Sequence, residues 1–351
     1  MKKNLTSELH SLLSEYLEYF TKLRSAMEYS GNIQLIEDFE KVNTATEGDM
    51  FFGKYGVGNQ AFIVESPFER AKAYELLLYI LRSYDKEQFI KIHKGTPYYF
   101  IAWTSFQLGD FEKSLFYMDA ALSEDLRTHG RREGYTTPAL SFFFLDDMPQ
   151  AAGFLTLHTN LNAVVFDNLQ QFELESKNNI KVLDIANKFL RPVIFDNDSK
   201  ARSVITALYG FILEFNFYKR QIFLRSSDGG SIEPFINHLF KGARILESLL
   251  KLKSDGSDLK NVVTKLSKLE VKTSLFRGGR SLSSAKDMYD KLLSQKESFQ
   301  NCNFAASYII RNTTGHSLIW SDEFKDEESY LTLYRCLINS ILWSIYKLWL
   351  S

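Results

Sequence analysis

The sequence predicts an all-α protein, and three observations carry that expectation. Glycine and proline are scarce, 18 and 6 in 351 residues, too few for the turns of a β-sandwich. Phenylalanine and tyrosine are abundant at 29 and 18, which suits aromatic helix packing. Apolar residues also recur at three-four spacing along most of the chain. With 45% apolar and 24% charged residues, the composition is that of a globular protein and excludes collagen-like, disordered and low-complexity classes. The net charge of −1 argues against coating nucleic acid by bulk electrostatics, so any such contact must come from a local patch.

Leu5, Leu9, Leu12, Leu13, Tyr16, Tyr19 and Phe20 predict a first helix over 4–29. Glu8, Glu15 and Glu18 interrupt it, so it does not read as a signal peptide. Residues 44–66 read as irregular. Their glycines Gly53, Gly56 and Gly58 are not followed by the GK[ST] of a phosphate loop. An amphipathic helix is expected from Phe68 to about Tyr84, and a helical hairpin near 96–126. Tyr98, Ile101 and Ala102 mark its first helix, Gly109 and Phe111 its turn, and Ser114, Met118, Ala121 and Leu122 its second seam. This stretch resembles a single tetratricopeptide repeat, with Leu126 where the closing proline would stand. Residues 127–150 read as a connector, and helix is expected again from 151 to 191, ending at Pro192.

The polar stretch 195–200 divides the expected domains: an α-helical regulatory or interaction region, 1–195, and a helical bundle, 196–351. Four long helices are expected in the latter, near 204–224, 232–252, 297–312 and 326–350, in an up-and-down arrangement. The last carries Arg335, Asn339 and Lys347, charges and amides that favour a buried helix over a membrane anchor. Cys302 and Cys336 lie in apolar stretches and read as reduced core residues of a cytoplasmic protein.

The segment most suggestive of chemistry is Arg311-Asn312-Thr313-Thr314-Gly315-His316. On an unbroken helix Arg311 and His316 would diverge by about 140°. The β-branched threonines and the glycine weaken the helix there, and a bend would bring both side chains to one cleft. The arginine, the polar residue after it and the histidine five positions on resemble the motif of the HEPN superfamily ribonucleases, Arg-x(4–6)-His. That resemblance implies a C-terminal four-helix bundle and a metal-independent endoribonuclease without cofactor. It further implies a homodimer whose two motifs meet in one composite site, and products with 2′,3′-cyclic phosphate and 5′-OH ends. The candidate catalytic residues are therefore Arg311, Asn312 and His316. Histidine titrates near neutral pH and can move the protons, while arginine offers a fixed fork for the phosphorane charge. Architectures of this kind resemble toxins and anti-phage effectors, with an antitoxin or regulatory partner on the N-terminal half. The plain alternative is that Arg311 caps carbonyls or pairs with a carboxylate in a non-catalytic helical adaptor.

Residues 241–286 hold eleven Lys or Arg and four acids, net +7. An RNA groove needs such a patch, although a solvated helix face has the same composition. Lys272, Arg277, Arg280 and Lys286 are the candidate RNA contacts, the two arginines because their loop can fold over a substrate. His10, His93, His129, His158 and His238 are scattered, with no HExxH pair or cysteine at ligand spacing, so no metal site is expected.

Overall fold

A computed structural model of the chain describes residues 29–57, 67–130, 137–146, 156–195, 199–224, 231–278, 281–314 and 327–351. Fifteen helices and no strands occur among them. The helix expected over 4–29 lies outside the described residues up to position 28, as do Gly58, Arg280, Gly315 and His316. The chain groups into two compact units, Met1–Phe142 with Asp147–Leu157, and Phe143–Asp146 with His158–Ser351. The stretch expected to divide the domains, 195–200, falls inside the second unit.

In the first unit, α1 (Tyr29–Glu40) and α2 (Ala45–Phe52) precede α3 (Pro67–Tyr84), the short α4 (Lys86–Lys91), α5 (Gly95–Gln107) and α6 (Phe111–His129). Residues 45–57 are helical where an irregular segment was expected. Thr44 caps α2: it accepts a bond from the Glu47 N–H, and the Glu47 carboxylate accepts one from the Thr44 N–H. The helix then widens into a π turn over Gly53–Val57. Phe39 of α1, Phe51 and Phe52 of α2, Leu77 and Leu81 of α3, and Ile101 of α5 form one buried core. The hairpin α5–α6 forms where the sequence predicts it. Gly109 adopts φ +77 at the turn, a conformation that favours glycine, and Asp110 caps α6 through the Lys113 N–H. Ala102, Ser114 and Ala121 are all buried, and their small size lets the two helices approach.

The segment expected to be a connector is partly helical, with α6 running to His129 and α7 spanning Pro138–Phe144.

The second unit contains α8 (Thr156–Ser176) from His158 onward and a continuous helix α9, built from Val182–Asp184, a π-helical Ile185–Leu190 and Arg191–Phe195. Pro192 does not end α9. The π stretch before it widens the turn into which the prolyl ring would otherwise collide. Four long helices follow: α10 (Ser199–Phe223), α11 (Glu233–Lys251), α14 (Phe299–Thr314) and α15 (Glu327–Ile345). Between α11 and α14 lie the short α12 (Leu259–Lys265) and α13 (Ser283–Ser294), the latter packed on α14 and α15.

Helix α11 packs on α10, α14 and α15, and aromatic rings fill the space between α10, α11 and α15. Phe215 stacks on Tyr334 at 3.7 Å, and Phe211 stacks on His238 at 4.5 Å. Gly242 permits this approach: a Cβ there would lie 2.6 Å from the Phe211 ring and 3.0 Å from Leu337 Cδ1. Gly242→Ala is accordingly expected to destabilise the protein by about 1–3 kcal/mol in urea unfolding, through overpacking. An unchanged midpoint would show that the rings yield freely.

A polar seam runs through the otherwise apolar contact of α14 with α15. Ser307 and Ser340 both donate to the carbonyl of Cys336, at 3.1 and 2.8 Å. Asn339 donates to Asn303 at 3.3 Å and to Glu175 of α8 at 2.7 Å. Cys302 and Cys336 are free and buried, and burial pushes the Cys302 thiol up to about 11. Among the described residues, no helix is long and apolar enough to cross a membrane.

Candidate functional site

Arg311 and Asn312 stand in the last turn of α14, ahead of Thr313 and Thr314. Thr314 turns its hydroxyl back to the Ile310 carbonyl at 2.7 Å, the local competition expected of threonine in a helix. Both candidate residues are half-buried, the Arg311 side chain being 33% exposed. The Arg311 guanidinium is held from α11: its Nε donates to Glu247 Oε2 at 3.0 Å, and Nη1 lies 3.4 Å from Asn312 Oδ1. The other Glu247 oxygen takes Lys251 Nζ at 2.6 Å. In the sequence Glu247 was merely one of four acids in a basic run; its position on the inner face of α11 makes it the anchor of the arginine. No sequence spacing could have linked residues 64 positions apart. Nη2 has no partner among the described residues.

The structure separates the candidate RNA contacts. Lys272 is exposed, 3.1 Å from Glu297, and its N–H donates to Asn301 near the start of α14. Asn301 and Arg311 are ten helical steps apart, about 15 Å of rise. Arg277 is exposed and follows Phe276, whose ring stacks on Tyr308 at 4.9 Å, one turn before Arg311. Lys286 Nζ is 3.3 Å from Ser329 Oγ in the first turn of α15, which runs antiparallel to α14. Arg277 and Lys286 therefore lie toward the Arg311 end, and Lys272 lies at the other. Much of the expected charge is also used internally. Lys241 pairs with Glu214 at 2.7 Å, Lys251 with Glu247, and Lys253 lies over the Trp349 ring.

A second constellation lies in the first unit and brings together His93 and His129, which the sequence presents as scattered histidines without metal-ligand spacing. His93, between α4 and α5, is 3% exposed. Its Nδ1 is 2.9 Å from Thr128 Oγ1, and Thr128 donates its own proton to the Glu124 carbonyl at 2.8 Å. Thr128 thus fixes the orientation of the His93 ring, with Nε2 turned toward the carboxylates. Facing Nε2 are Asp125 Oδ1 at 3.5 Å and Asp49 Oδ1 at 3.7 Å. Thr137 donates to the second Asp125 oxygen at 2.5 Å, and Thr96 donates to Asp49 Oδ1 at 2.8 Å. The ring of His129, one turn after Asp125, lies 5.3 Å from that of His93. Burial holds the His93 imidazole below its ordinary range, against the pull of Asp49 and Glu124, and pushes the Asp125 carboxyl up to about 7. Lys94 and Arg127 both serve Glu124, at 3.0 and 2.7 Å. The legible signal was Asp125-x3-His129, one face of α6; His93 comes from 32 residues upstream of Asp125 and only folding adds it. Compared with known proteins, the chain matches no family model, no curated protein and no solved structure.

Proposed function

We propose that this protein is a metal-independent endoribonuclease of the HEPN type, active as a homodimer with a composite site. In this reading 196–351 form the catalytic bundle, and the tetratricopeptide-like hairpin region of 1–195 receives a regulatory or antitoxin partner. The observation that carries it is the half-exposed Arg311–Asn312 pair at the end of α14, braced by a buried carboxylate and five residues before His316. His316 removes the proton from a ribose 2′-OH or delivers one to the leaving 5′-oxygen, and the Arg311 fork stabilises the phosphorane between them. Asn312 holds the phosphate or orients the histidine. Arg277 and Lys286 extend positive charge along the RNA. Cleavage of this kind suits a cytoplasmic toxin or anti-phage effector.

The test is cleavage of RNA by the full chain in EDTA, with Arg311→Ala and His316→Ala beside wild type. Cyclic-phosphate ends that vanish in both variants support the reading; equal cleavage in all three removes these residues from the chemistry. A second reading, a non-catalytic helical adaptor, is favoured by the Arg311–Glu247 ion pair, which a purely structural arginine would also make. It predicts altered stability or partner binding in both variants with no cleavage in any protein.

A further inference from the structure

We propose that His93, Asp125 and His129 bind a divalent transition-metal ion of the zinc class, with Asp49 on the open side of the site. One donor atom from each of the three lies within 4.8 Å of the others. Bonds of about 2.0–2.2 Å at tetrahedral angles put donors about 3.3–3.6 Å apart, a spacing that His93 Nε2 and Asp125 Oδ1 already have at 3.5 Å, so His129 must swing in by about 1 Å to complete the set.

His93, Asp125 and Asp49 are already oriented by neighbours outside the site. Thr128 holds the His93 ring through Nδ1 and leaves Nε2 facing the site, Thr137 occupies the outer oxygen of Asp125, and Thr96 steadies Asp49. Outer partners of this kind accompany metal ligands. The separations of 3.5 and 3.7 Å from Nε2 to the two carboxylates are too long for good N–H···O bonds. Three potential donor atoms thus converge without hydrogen bonds from Nε2 to either carboxylate. Among the described residues, no lysine or arginine pairs with Asp125 or Asp49.

Gly95 keeps the space open. A Cβ there would lie 2.5 Å from His93 Nε2 and 2.9 Å from Asp125 Oδ1, in the gap where the donors meet. Asp49, with 44% of its side chain exposed, gives the ion a path from solvent. Two imidazoles and a carboxylate select zinc, cobalt or nickel over calcium or magnesium, which take oxygen ligands. The ion would fasten the α4–α5 turn to the C-terminal half of α6, with Asp49 of α2 or a water as fourth ligand.

The test uses the full chain, stripped with chelator, dialysed and titrated with zinc chloride by calorimetry. Saturable binding near one equivalent is expected, with a raised unfolding temperature and at least about a hundredfold weaker binding in His129→Gln. His129 is half-buried, so this variant is the one chosen to leave the fold intact, checked by circular dichroism. X-ray absorption of the zinc-loaded wild type needs no variant and is expected to show two imidazoles and no sulfur. Absence of stoichiometric binding, unchanged affinity in His129→Gln, or a spectrum with sulfur or a single imidazole would overturn the proposal. Because RNA cleavage is assayed in chelator, the two proposals fail separately.

Discussion

Arg311→Ala is expected to lower RNA cleavage by about 10²–10³-fold, the usual consequence of removing one fixed stabiliser of transition-state charge. His316→Ala is expected to lose about 10²–10⁴-fold as the proton-transfer group goes. The more informative variant is Glu247→Ala. Glu247 is buried and shared by Arg311 and Lys251, so its removal frees the guanidinium without touching the scissile phosphate. Cleavage should fall toward the Arg311→Ala level, and stability by about 1–3 kcal/mol as the half-buried Arg311 and the exposed Lys251 lose their anion. Glu247→Gln, which still accepts from Nε, should recover most of both. Rate and unfolding midpoint measured on the same preparations decide the matter. A loss of stability with no change in rate would leave Glu247 a structural residue.

Acid should unfold the second unit through His238. Burial pushes its imidazole down to about 3, the bond it donates to the Phe211 carbonyl at 2.7 Å partly offsets this, and nearby Lys241 lowers it further. Tyr330 donates to Nδ1 at 2.7 Å, so the neutral ring has both nitrogens satisfied. Glu214 Oε2 stands 4.0 Å away, but Lys241 takes that carboxylate's charge at 2.7 Å. A histidine whose folded pKa is depressed binds its proton only in the unfolded chain between about 6.5 and 3. Its contribution is therefore fully present above pH 6.5 and lost as pH falls, at about 1.4 kcal/mol per unit. By pH 4 the loss approaches about 3 kcal/mol, a large share of an ordinary domain's stability. His238→Gln, able to donate to Phe211 and accept from Tyr330, should flatten the dependence of the urea midpoint between pH 6.5 and 4. An identical slope in wild type and variant would assign the acid sensitivity to other groups.

The long helices were legible because their apolar stripes are strong and uninterrupted: 204–224 became Ser199–Phe223, and 232–252 became Glu233–Lys251. Misreadings came where one local signal outweighed another. Three glycines hid the Thr44–Glu47 capping box, and Pro192 was given its usual meaning although a π turn upstream makes room for it. The candidate sites divide in the same way. Arg311 and Asn312 are neighbours in the chain and could be read, whereas Glu247 and His93 reach their partners only through packing. Charge counting failed for a related reason. A run of net +7 says nothing about which of its lysines face carboxylates from elsewhere in the chain, as Lys241 and Lys272 do.

The seam of serines and asparagines between α14 and α15 has a consequence for where Arg311 can stand. Two helices joined only by leucine and isoleucine can slip by one turn, about 5.4 Å, and still bury the same area. Here such a slip would carry Ser307 away from Cys336 and Ser340, and Asn303 away from Asn339, into apolar surroundings. Each orphaned group would cost about 1–3 kcal/mol. The seam therefore acts as an axial ruler: it admits one register of α14 against α15 and fixes the height at which α14 presents its arginine to Glu247.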